Sequence, residues 1–247
     1  MFCHLCTKAL INLRPEMFAV RFFGITLFIL FALACKHNQP TMSGGISRDI
    51  PVDSIAVPNL NDSTDSALRA QDRTIWQKPY MLIDMLGDLS DKVVADIGAG
   101  SGYFSFRFVH RAKKVIAIDI EPTLIEMMNT EETYYKPEVQ LRFEARLATP
   151  DDPHLKDGEV DIIFISNTFP YIKNRRDYLH RLLRKFRSQG KIMIVDFKKK
   201  LSPIGPPQEE RLSLADVEQD LIDAGYKLIV SDDTSLDYQY IIIASPL

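Results

Sequence analysis

Short hydrophobic runs alternate with amphipathic stretches along the chain from about residue 67 onward. The runs are rich in Val and Ile and are mostly continuous, which is typical of strands buried on both faces of a parallel sheet. The predicted strands lie at Lys92–Ile97, Lys114–Ile120, Val139–Ala148, Val160–Ser166 and Lys191–Phe197. The predicted helices between and after them cover Tyr103–Arg111, Pro122–Tyr134, Arg176–Phe186 and Ser213–Ala224.

The end of the chain carries a different pattern. Two further predicted strands, Tyr226–Ser231 and Gln239–Ser245, are separated only by a short acidic segment. So short a connection favours an antiparallel hairpin, because parallel strands need a long crossover. The sequence therefore predicts an α/β fold with a doubly wound, mostly parallel seven-stranded sheet and an antiparallel last strand.

Local signals mark the ends of several predicted helices. Ser213 and Asp216 have the spacing of a capping box, with Asp in place of the usual Glu. Gly190 and Gly225 lie where two helices are predicted to stop, since glycine readily adopts the backbone conformation that ends a helix.

The N-terminal segment has the composition of a targeting signal. Basic residues precede the uncharged run Phe22–Ala34, which is short for a spanning helix of about 20 residues but suits the apolar core of a secretory signal. The run ends in Ala32-Leu33-Ala34-Cys35, which resembles the lipobox of bacterial lipoproteins. The resemblance implies that Cys35 is lipidated and becomes the first mature residue. It also implies a membrane-anchored protein that faces the periplasm or the cell surface.

Three alternatives stay open for this segment: a plain signal peptide, a simple N-terminal anchor, or a true start at Met17. In the lipoprotein interpretation the signal peptide covers residues 1–34. Residues 35–66 are rich in Ser, Asn, Asp, Pro and Gly, which predicts a flexible tether. Residues 67–247 then form one domain, which is long enough to bury a core.

Composition narrows the classes of function. Hydrophobic residues make up 46% of the chain and charged residues 26%, as in an ordinary globular protein. The net charge of −3 argues against a nucleic-acid partner, because phosphate contacts need a basic surface. All three cysteines lie within the first 35 residues, so the predicted domain has no disulfide. Its histidines lack the spacing of metal ligands, and no metal is predicted.

The strongest chemical signal is a glycine-rich turn after the first predicted strand. The segment Val94–Gly102 reads VADIGAGSG and leads directly into a predicted helix. Glycines allow a positive φ and the close approach of a ligand, and a helix N-terminus offers free N–H groups. The next strand ends in Asp119, seventeen residues after Gly102, where an acid suits the two hydroxyls of a ribose.

The position of Asp96 indicates which nucleotide is bound. A carboxylate two residues before Gly98 repels a pyrophosphate but attracts an ammonium. The third glycine also comes one residue too early for the dinucleotide fingerprint. S-adenosylmethionine (SAM) carries an ammonium, a ribose and an adenine, and it has no phosphate. The pattern Asp96-x-Gly98-x-Gly100-x-Gly102 followed by Asp119 resembles the first two motifs of class I SAM-dependent methyltransferases.

The resemblance extends from Asp72 to the end of the chain, to a group of small bacterial class I methyltransferases. It implies a Rossmann-like methyltransferase fold and SAM as cofactor. Its residues are Asp72-Arg73-x-x-Trp76-Gln77-Lys78-Pro79, Pro150–Leu155, Asp161–Thr168, Asp196-Phe197-Lys198, Gly205-Pro206-Pro207 and Gln239-Tyr240. One departure is the segment Asn167–Tyr171, which lacks the histidine pair that related chains carry after the fourth strand.

Carried over position by position, the resemblance assigns nine cofactor contacts. Asp96 and the glycine turn line the methionine end, Asp119 holds the ribose, and Ile120 packs on the adenine. Asp151 lies at the adenine edge, and Asn167 lies beside the transferred methyl group. The turn itself comprises Gly98, Ala99, Gly100 and Gly102. No catalytic base can be named.

The methyl acceptor cannot be read from the sequence, although a small molecule is favoured over nucleic acid. The loop Lys198–Gln208 is predicted to shape its pocket. Two other functions stay open at this point. One is a non-catalytic Rossmann-like binding domain tethered to the membrane, and the other is a dinucleotide-dependent oxidoreductase.

Overall fold

The computed structural model describes residues 73–247. The predicted signal peptide at 1–34, the lipidation site Cys35, the tether at 35–66 and the first residues of the predicted domain lie outside the described residues. None of the helices within 73–247 combines the length and the apolar character that a membrane crossing requires.

Seven strands form one sheet in the order β3-β2-β1-β4-β5-β7-β6. The strands β1 to β5 are parallel, and β7 runs antiparallel to both β5 and β6. The predicted fold class is therefore confirmed. The strands are β1 Val93–Ile97, β2 Lys114–Asp119, β3 Phe143–Leu147, β4 Val160–Ser166, β5 Phe186–Phe197, β6 Tyr226–Asp232 and β7 Gln239–Pro246.

Helices cover both faces of the sheet. A helical stretch over 73–77 precedes the first of them. The α-helices are α1 Pro79–Met85, α2 Ser105–Phe108, α3 Pro122–Glu132, α4 Pro137–Gln140, α5 Arg175–Leu182 and α6 Leu214–Asp223. Short 3-10 turns lie at Phe169–Tyr171, Leu183–Lys185 and Gln208–Glu210.

Two hydrophobic layers hold the helices to the sheet. Alternate residues of β1 point to opposite faces, so that Ala95 belongs to one layer and Val94 to the other. The first layer packs against α5 and α6, and the second packs against α1, α2 and Met128 of α3. All five residues of β1 are buried, which is why this strand has a continuous hydrophobic run.

Several predicted element ends differ from the structure. The helix predicted at Tyr103–Arg111 is shortened to α2, with turns on either side. The strand predicted at Val139–Ala148 begins only at Phe143, because Pro137 starts the short helix α4 just before it. The capping box of Ser213 and Asp216 is confirmed, and Gly225 follows α6 with a φ of 96°.

The prediction that Gly190 ends a helix was wrong. Gly190 lies inside β5, in an irregular stretch where Phe186 pairs with Val160 and Lys191 pairs with Ile162. A Cβ atom at Gly190 would lie 2.3 Å from the Phe186 ring. The glycine is therefore required because a side chain folds back over the strand, and not because a helix stops there.

The arrangement places the reversal of strand order between β1 and β4. Ligands of doubly wound sheets bind at the carboxyl ends of the strands on either side of such a reversal. The glycine turn follows β1 and Asn167 follows β4, so both come to this position. Asp119 ends the neighbouring strand β2.

Candidate active site

Three glycines adopt positive φ angles in the turn after β1. Gly98, Gly100 and Gly102 have φ values of 76°, 59° and 86°. A Cβ atom at Gly98 would lie 2.1 Å from Oγ1 of Thr168, and one at Gly102 would lie 2.6 Å from the Phe106 ring. Gly100 has no atom within 4 Å of that position, so its backbone conformation alone favours glycine.

Asp119 connects the end of β2 to the glycine turn. Its Oδ2 atom accepts a hydrogen bond from the amide of Gly100 over 2.8 Å. Its Oδ1 atom accepts from the amides of Ile120 and Glu121 over 2.8 and 3.1 Å. A carboxylate offers about four acceptor positions, so one position remains for a ligand hydroxyl.

Asp96 lies on β1 below the turn and is 2% exposed. Its Oδ2 atom accepts a 2.6 Å hydrogen bond from the Ser105 hydroxyl. Burial raises the pKa of Asp96 to about 6, while the Ser105 hydroxyl and the Arg73 guanidinium act in the opposite direction. The carboxyl group is therefore mostly ionised at neutral pH.

A cavity of about 300 Å³ opens beside Asp119. Its walls are largely apolar, which suits a flat aromatic ring. Ile120 is 47% exposed beside it. The residues that line this cavity are Ile97, Gly98, Ile118–Glu121, Ala148–Pro150, Pro153, Thr168, Tyr171, Ile172 and Tyr178.

Asp151 is an exposed residue next to Pro150, outside the residues that line this cavity. Its backbone carbonyl accepts a hydrogen bond from Arg181. Of the nine predicted cofactor contacts, Asp151 and Asp96 lie outside the turn and line neither cavity, and Asp96 is buried on β1 directly below the turn.

A second cavity of about 610 Å³ lies on the other side of the β4 end. Asn167 lies at its wall with a φ of 57°, and its side-chain oxygen accepts a hydrogen bond from Gln239. Trp76 packs against Phe197 with 5.6 Å between the ring centroids. The lining residues are Arg73, Trp76, Asn167, Phe197, Pro203, Ile204 and Gly205.

One buried arginine holds the loop that closes this second cavity. The guanidinium of Arg211 donates hydrogen bonds to the carbonyl oxygens of Lys198, Lys200, Ile204 and Pro206. Arg211 is 4% exposed, and its guanidinium lies 5.4 Å from the centre of the Phe197 ring. These bonds replace secondary structure in the loop Lys198–Gln208 and fix the residues that line the cavity.

The structure describes the surroundings of buried polar residues that the resemblance includes but to which it assigns no role. Gln77 is fully buried, and it connects Arg73 to the hydroxyl of Ser166 at the end of β4. Asp196 and Tyr240 pair across β5 and β7, and Asp196 Oδ2 and the Tyr240 hydroxyl have no hydrogen-bond partner within the described chain. Burial raises the pKa of Asp196 to about 7. Polar residues inside otherwise apolar strands are the sequence signal for such positions.

Two further features concern ionisable side chains. Within residues 73–247, no three His, Cys, Asp or Glu side chains are grouped as metal ligands would be. The basic residues around α5 are largely paired with acids. The pairs are Arg175–Asp220, Arg176–Asp220, Arg176–Asp223, Lys185–Asp157 and Arg187–Asp161.

These residues fit the parts of SAM. A buried carboxylate, Asp96, lies beside the turn for an ammonium, and Asp119 offers an acceptor for ribose hydroxyls. The smaller cavity supplies an apolar place for the adenine. Gly98 and Gly102 allow Thr168 and Phe106 to pack directly on the backbone of the turn, and only at Gly100 is the space beside the backbone open.

Comparison with known proteins agrees with this fit. Residues 95–194 match the family model described as a methyltransferase domain. An uncharacterized methyltransferase of Mycobacterium tuberculosis is 26% identical over 137 residues, which cover 56% of this chain and 53% of that protein. The match thus spans about half the length of the curated relatives.

Solved structures show the same fold. A SAM-dependent methyltransferase from Aquifex aeolicus superimposes with a TM-score of 0.67 at 23% identity, over 75% of this chain and 98% of that one. A glycopeptide N-methyltransferase bound to the SAM analogue sinefungin has a TM-score of 0.57 at 13% identity, over 66% and 83%. Neither of the two alternative functions finds support in these matches. The chain has the Rossmann-like methyltransferase fold, and the comparisons support a SAM-dependent methyltransferase with SAM as its cofactor.

Proposed function

We propose that this protein transfers the methyl group of SAM to a small-molecule acceptor that binds in the larger cavity. The observation that carries the proposal is that consecutive residues at the end of β4 line the two cavities. Thr168 lines the smaller cavity beside Asp119, and its neighbour Asn167 lines the larger one. A cofactor whose adenosine occupies the smaller cavity would therefore present its methyl group toward the larger one.

The proposed reaction requires mainly that the protein position the cofactor and the acceptor. Bound SAM supplies a methyl group on a sulfonium centre, which is already reactive toward a nucleophile. Asp119 and Asp96 would fix the two polar ends of the cofactor. Trp76 and Phe197 would hold an acceptor in line and keep water away from the reacting atoms. Such positioning lowers the activation free energy of methyl transfer, because the entropy cost of bringing the two groups together is already met when they bind.

The size and lining of the larger cavity support a small acceptor. About 610 Å³ falls within the usual range for small-molecule sites, roughly 300–1,000 Å³. Its lining combines Trp76, Phe197, Pro203 and Ile204 with two polar side chains, Arg73 and Asn167. The overall charge of −3 and the ion-paired basic residues near α5 offer little to a polyanion.

We further propose that the domain is anchored through a lipid on Cys35 at the periplasmic or outer face of a bacterial membrane. The support is the sequence alone: an uncharged run, the small residues before Cys35, and a tether-like segment up to residue 66. Labelled palmitate should enter the native chain and not the Cys35→Ser variant when both are produced in bacteria. Equal labelling of the two chains would contradict the proposed lipid site.

Ligand binding tests the proposed cofactor. We expect the full-length chain to bind SAM and S-adenosylhomocysteine in calorimetric titrations, and to bind NAD far more weakly. Asp91 is exposed and lies before β1, away from the carboxyl ends of the strands, so Asp91→Ala should bind like the native chain. A native chain that binds neither SAM nor S-adenosylhomocysteine contradicts the proposal, and one that prefers NAD supports the oxidoreductase alternative.

A further inference from the structure

We propose that the segment Lys199–Pro203, named the docking segment, binds the surface of a membrane that contains anionic lipids. The inference concerns a surface next to the larger cavity, and it does not depend on the binding of SAM. It takes the lipid proposed on Cys35 as the anchor that keeps the domain near the membrane.

The docking segment combines an exposed apolar side chain with two positive charges. Leu201 is 89% exposed, although burial of a leucine side chain is favourable. Lys199 and Lys200 directly precede it, and both are exposed. This combination suits the interface of an anionic membrane, because the apolar side chain can enter the acyl boundary while the ammonium groups meet the headgroups.

The backbone holds Leu201 in its exposed position. The buried Arg211 donates hydrogen bonds to the carbonyl oxygens of Lys200 and Ile204, on either side of Leu201. The Ser202 hydroxyl also donates to the carbonyl oxygen of Ile204 over 2.9 Å. The segment cannot fold inward over Leu201 without breaking these bonds. Little conformational entropy is therefore lost when the side chain enters a membrane.

The two lysine charges are not used in ion pairs within the described part of the chain. No carboxylate of residues 73–247 lies within ion-pair distance of Lys199 or Lys200. Asp216 interacts electrostatically with Lys199, but its carboxylate already accepts hydrogen bonds from the backbone amide and the hydroxyl of Ser213. Both ammonium groups thus remain able to meet anionic headgroups.

Lys198, just before the docking segment, interacts with the acids between β6 and β7. Its ammonium donates to the carbonyl oxygen of Leu236 over 2.8 Å, and Asp232, Asp233 and Asp237 interact electrostatically with it. The negative charge of that acidic segment is therefore partly balanced by a lysine that does not belong to the docking segment.

The part of the chain that leads to Cys35 meets the domain beside the docking segment. Trp76 packs against Phe197, the last residue of β5. Arg73 and Trp76 line the larger cavity together with Pro203 of the docking segment. A membrane that binds the docking segment would therefore lie next to this cavity.

The proposed tether explains why few side chains suffice. A flexible tether over 35–66 would keep the domain within roughly 30 Å of the lipid on Cys35. At so short a distance the effective concentration of the membrane surface is high, so that a weak contact forms often. One lipid chain together with a basic surface is also a combination that gives stable membrane binding.

Quenching of tryptophan fluorescence by brominated lipids tests the docking. Leu201→Trp places a fluorescent side chain in the docking segment. Leu141→Trp is the matched control, because Leu141 is 85% exposed and lies before the amino end of β3, whereas the docking segment follows the carboxyl end of β5. Full-length chains are produced in bacteria, reconstituted with vesicles of brominated phosphatidylcholine and phosphatidylglycerol, and collected by flotation. The native chain gives the signal of Trp76, which is subtracted.

We expect the emission of Leu201→Trp to be quenched at least about twofold more than that of Leu141→Trp. Vesicles of brominated phosphatidylcholine alone should give a smaller difference, because they carry no negative surface charge.

The lysines are tested in the Leu201→Trp chain. Changing Lys199 and Lys200 to Gln should weaken docking about fivefold for each lysine at low salt, because each charge is attracted to the anionic surface. The same change at Lys113 and Lys136 alters the net charge equally. These two lysines are exposed and precede β2 and α4, so their change should leave the quenching as it was.

Two results would overturn the docking surface while the lipid anchor stands. One is equal quenching of Leu201→Trp and Leu141→Trp in the floated chains. The other is a stronger quenching of Leu201→Trp that changes neither with the anionic lipid nor with Lys199 and Lys200. A chain that does not float with anionic vesicles would contradict both the anchor and the docking. The proposed methyl transfer is tested separately by the SAM titration.

Discussion

Asp119, the last residue of β2, accepts a hydrogen bond from the backbone amide of Gly100 over 2.8 Å. The bond joins the acid predicted to hold a ribose to the middle of the glycine turn. The same carboxylate also accepts the amides of Ile120 and Glu121. The side chain is therefore held in place before a ligand arrives, which reduces the entropy lost on binding.

The first prediction concerns that carboxylate. Asp119→Ala should weaken SAM binding at least about tenfold, because each hydrogen bond to a charged group contributes about 1.5–3 kcal/mol. Asp119→Asn should lose less, since its side-chain oxygen can still accept the amides of Ile120 and Glu121. Calorimetric titration measures both variants, and Asp91→Ala is the control. An unchanged affinity of Asp119→Ala would show that the ribose is held elsewhere.

The second prediction separates the two reasons for glycine in the turn. Gly98→Ala should lower the free energy of unfolding by about 2–5 kcal/mol, because the new Cβ atom meets Thr168 at 2.1 Å and the φ is positive. Gly100→Ala should cost only about 1–2 kcal/mol, since it has the same kind of φ and no contact within 4 Å.

Urea denaturation measures the difference between these two variants. Combining Gly98→Ala with Thr168→Gly removes the three atoms closest to the new Cβ and should recover part of the loss. Equal destabilisation by the two single variants would mean that packing against Thr168 contributes nothing.

The third prediction concerns pH. Burial raises the pKa of Asp196 from 3.8 to about 7 in the folded chain. Between these values the folded chain holds a proton that the unfolded chain has lost, so the contribution of this group to stability falls as pH rises. Asp196→Asn removes this effect and should be more stable than the native chain by up to about 4 kcal/mol at pH 8.

Denaturation at a series of pH values checks this difference. The gain in stability should be small near pH 4, should grow up to about pH 7 and should stay constant above it. A difference between native and Asp196→Asn that does not change with pH would contradict the raised pKa of this carboxyl group.

The fourth prediction concerns the loop Lys198–Gln208. Arg211→Met removes the donors to four loop carbonyls, so the loop should open more often. A lysine-specific protease should then cleave after Lys198, Lys199 or Lys200 several times faster than in the native chain. Arg142→Met, which lies away from the loop, should be cleaved at the native rate. Equal rates for all three chains would show that Arg211 does not hold the loop.

Much of the fold and the turn could be predicted because their signals are local. The run Val160–Ser166 became β4 with its bounds unchanged, since a continuous apolar run allows few other conformations. The three glycines and Asp119 came together as the strand order requires. Gly190 shows the limit of local signals. Glycine is required at this position because the Phe186 side chain of the same strand packs against it. The sequence alone does not distinguish this cause from the end of a helix.

By itself the sequence determined the α/β architecture and the position of the glycine-rich turn, because strand periodicity and glycine spacing depend on neighbours along the chain. Only the tertiary structure decided which polar residues face one another. Gln77 and Ser166 are 89 positions apart, yet their hydrogen bond orients Arg73, and Arg211 closes a loop that has little regular structure. Such contacts depend on the packing of distant elements, and side-chain identity alone does not specify that packing.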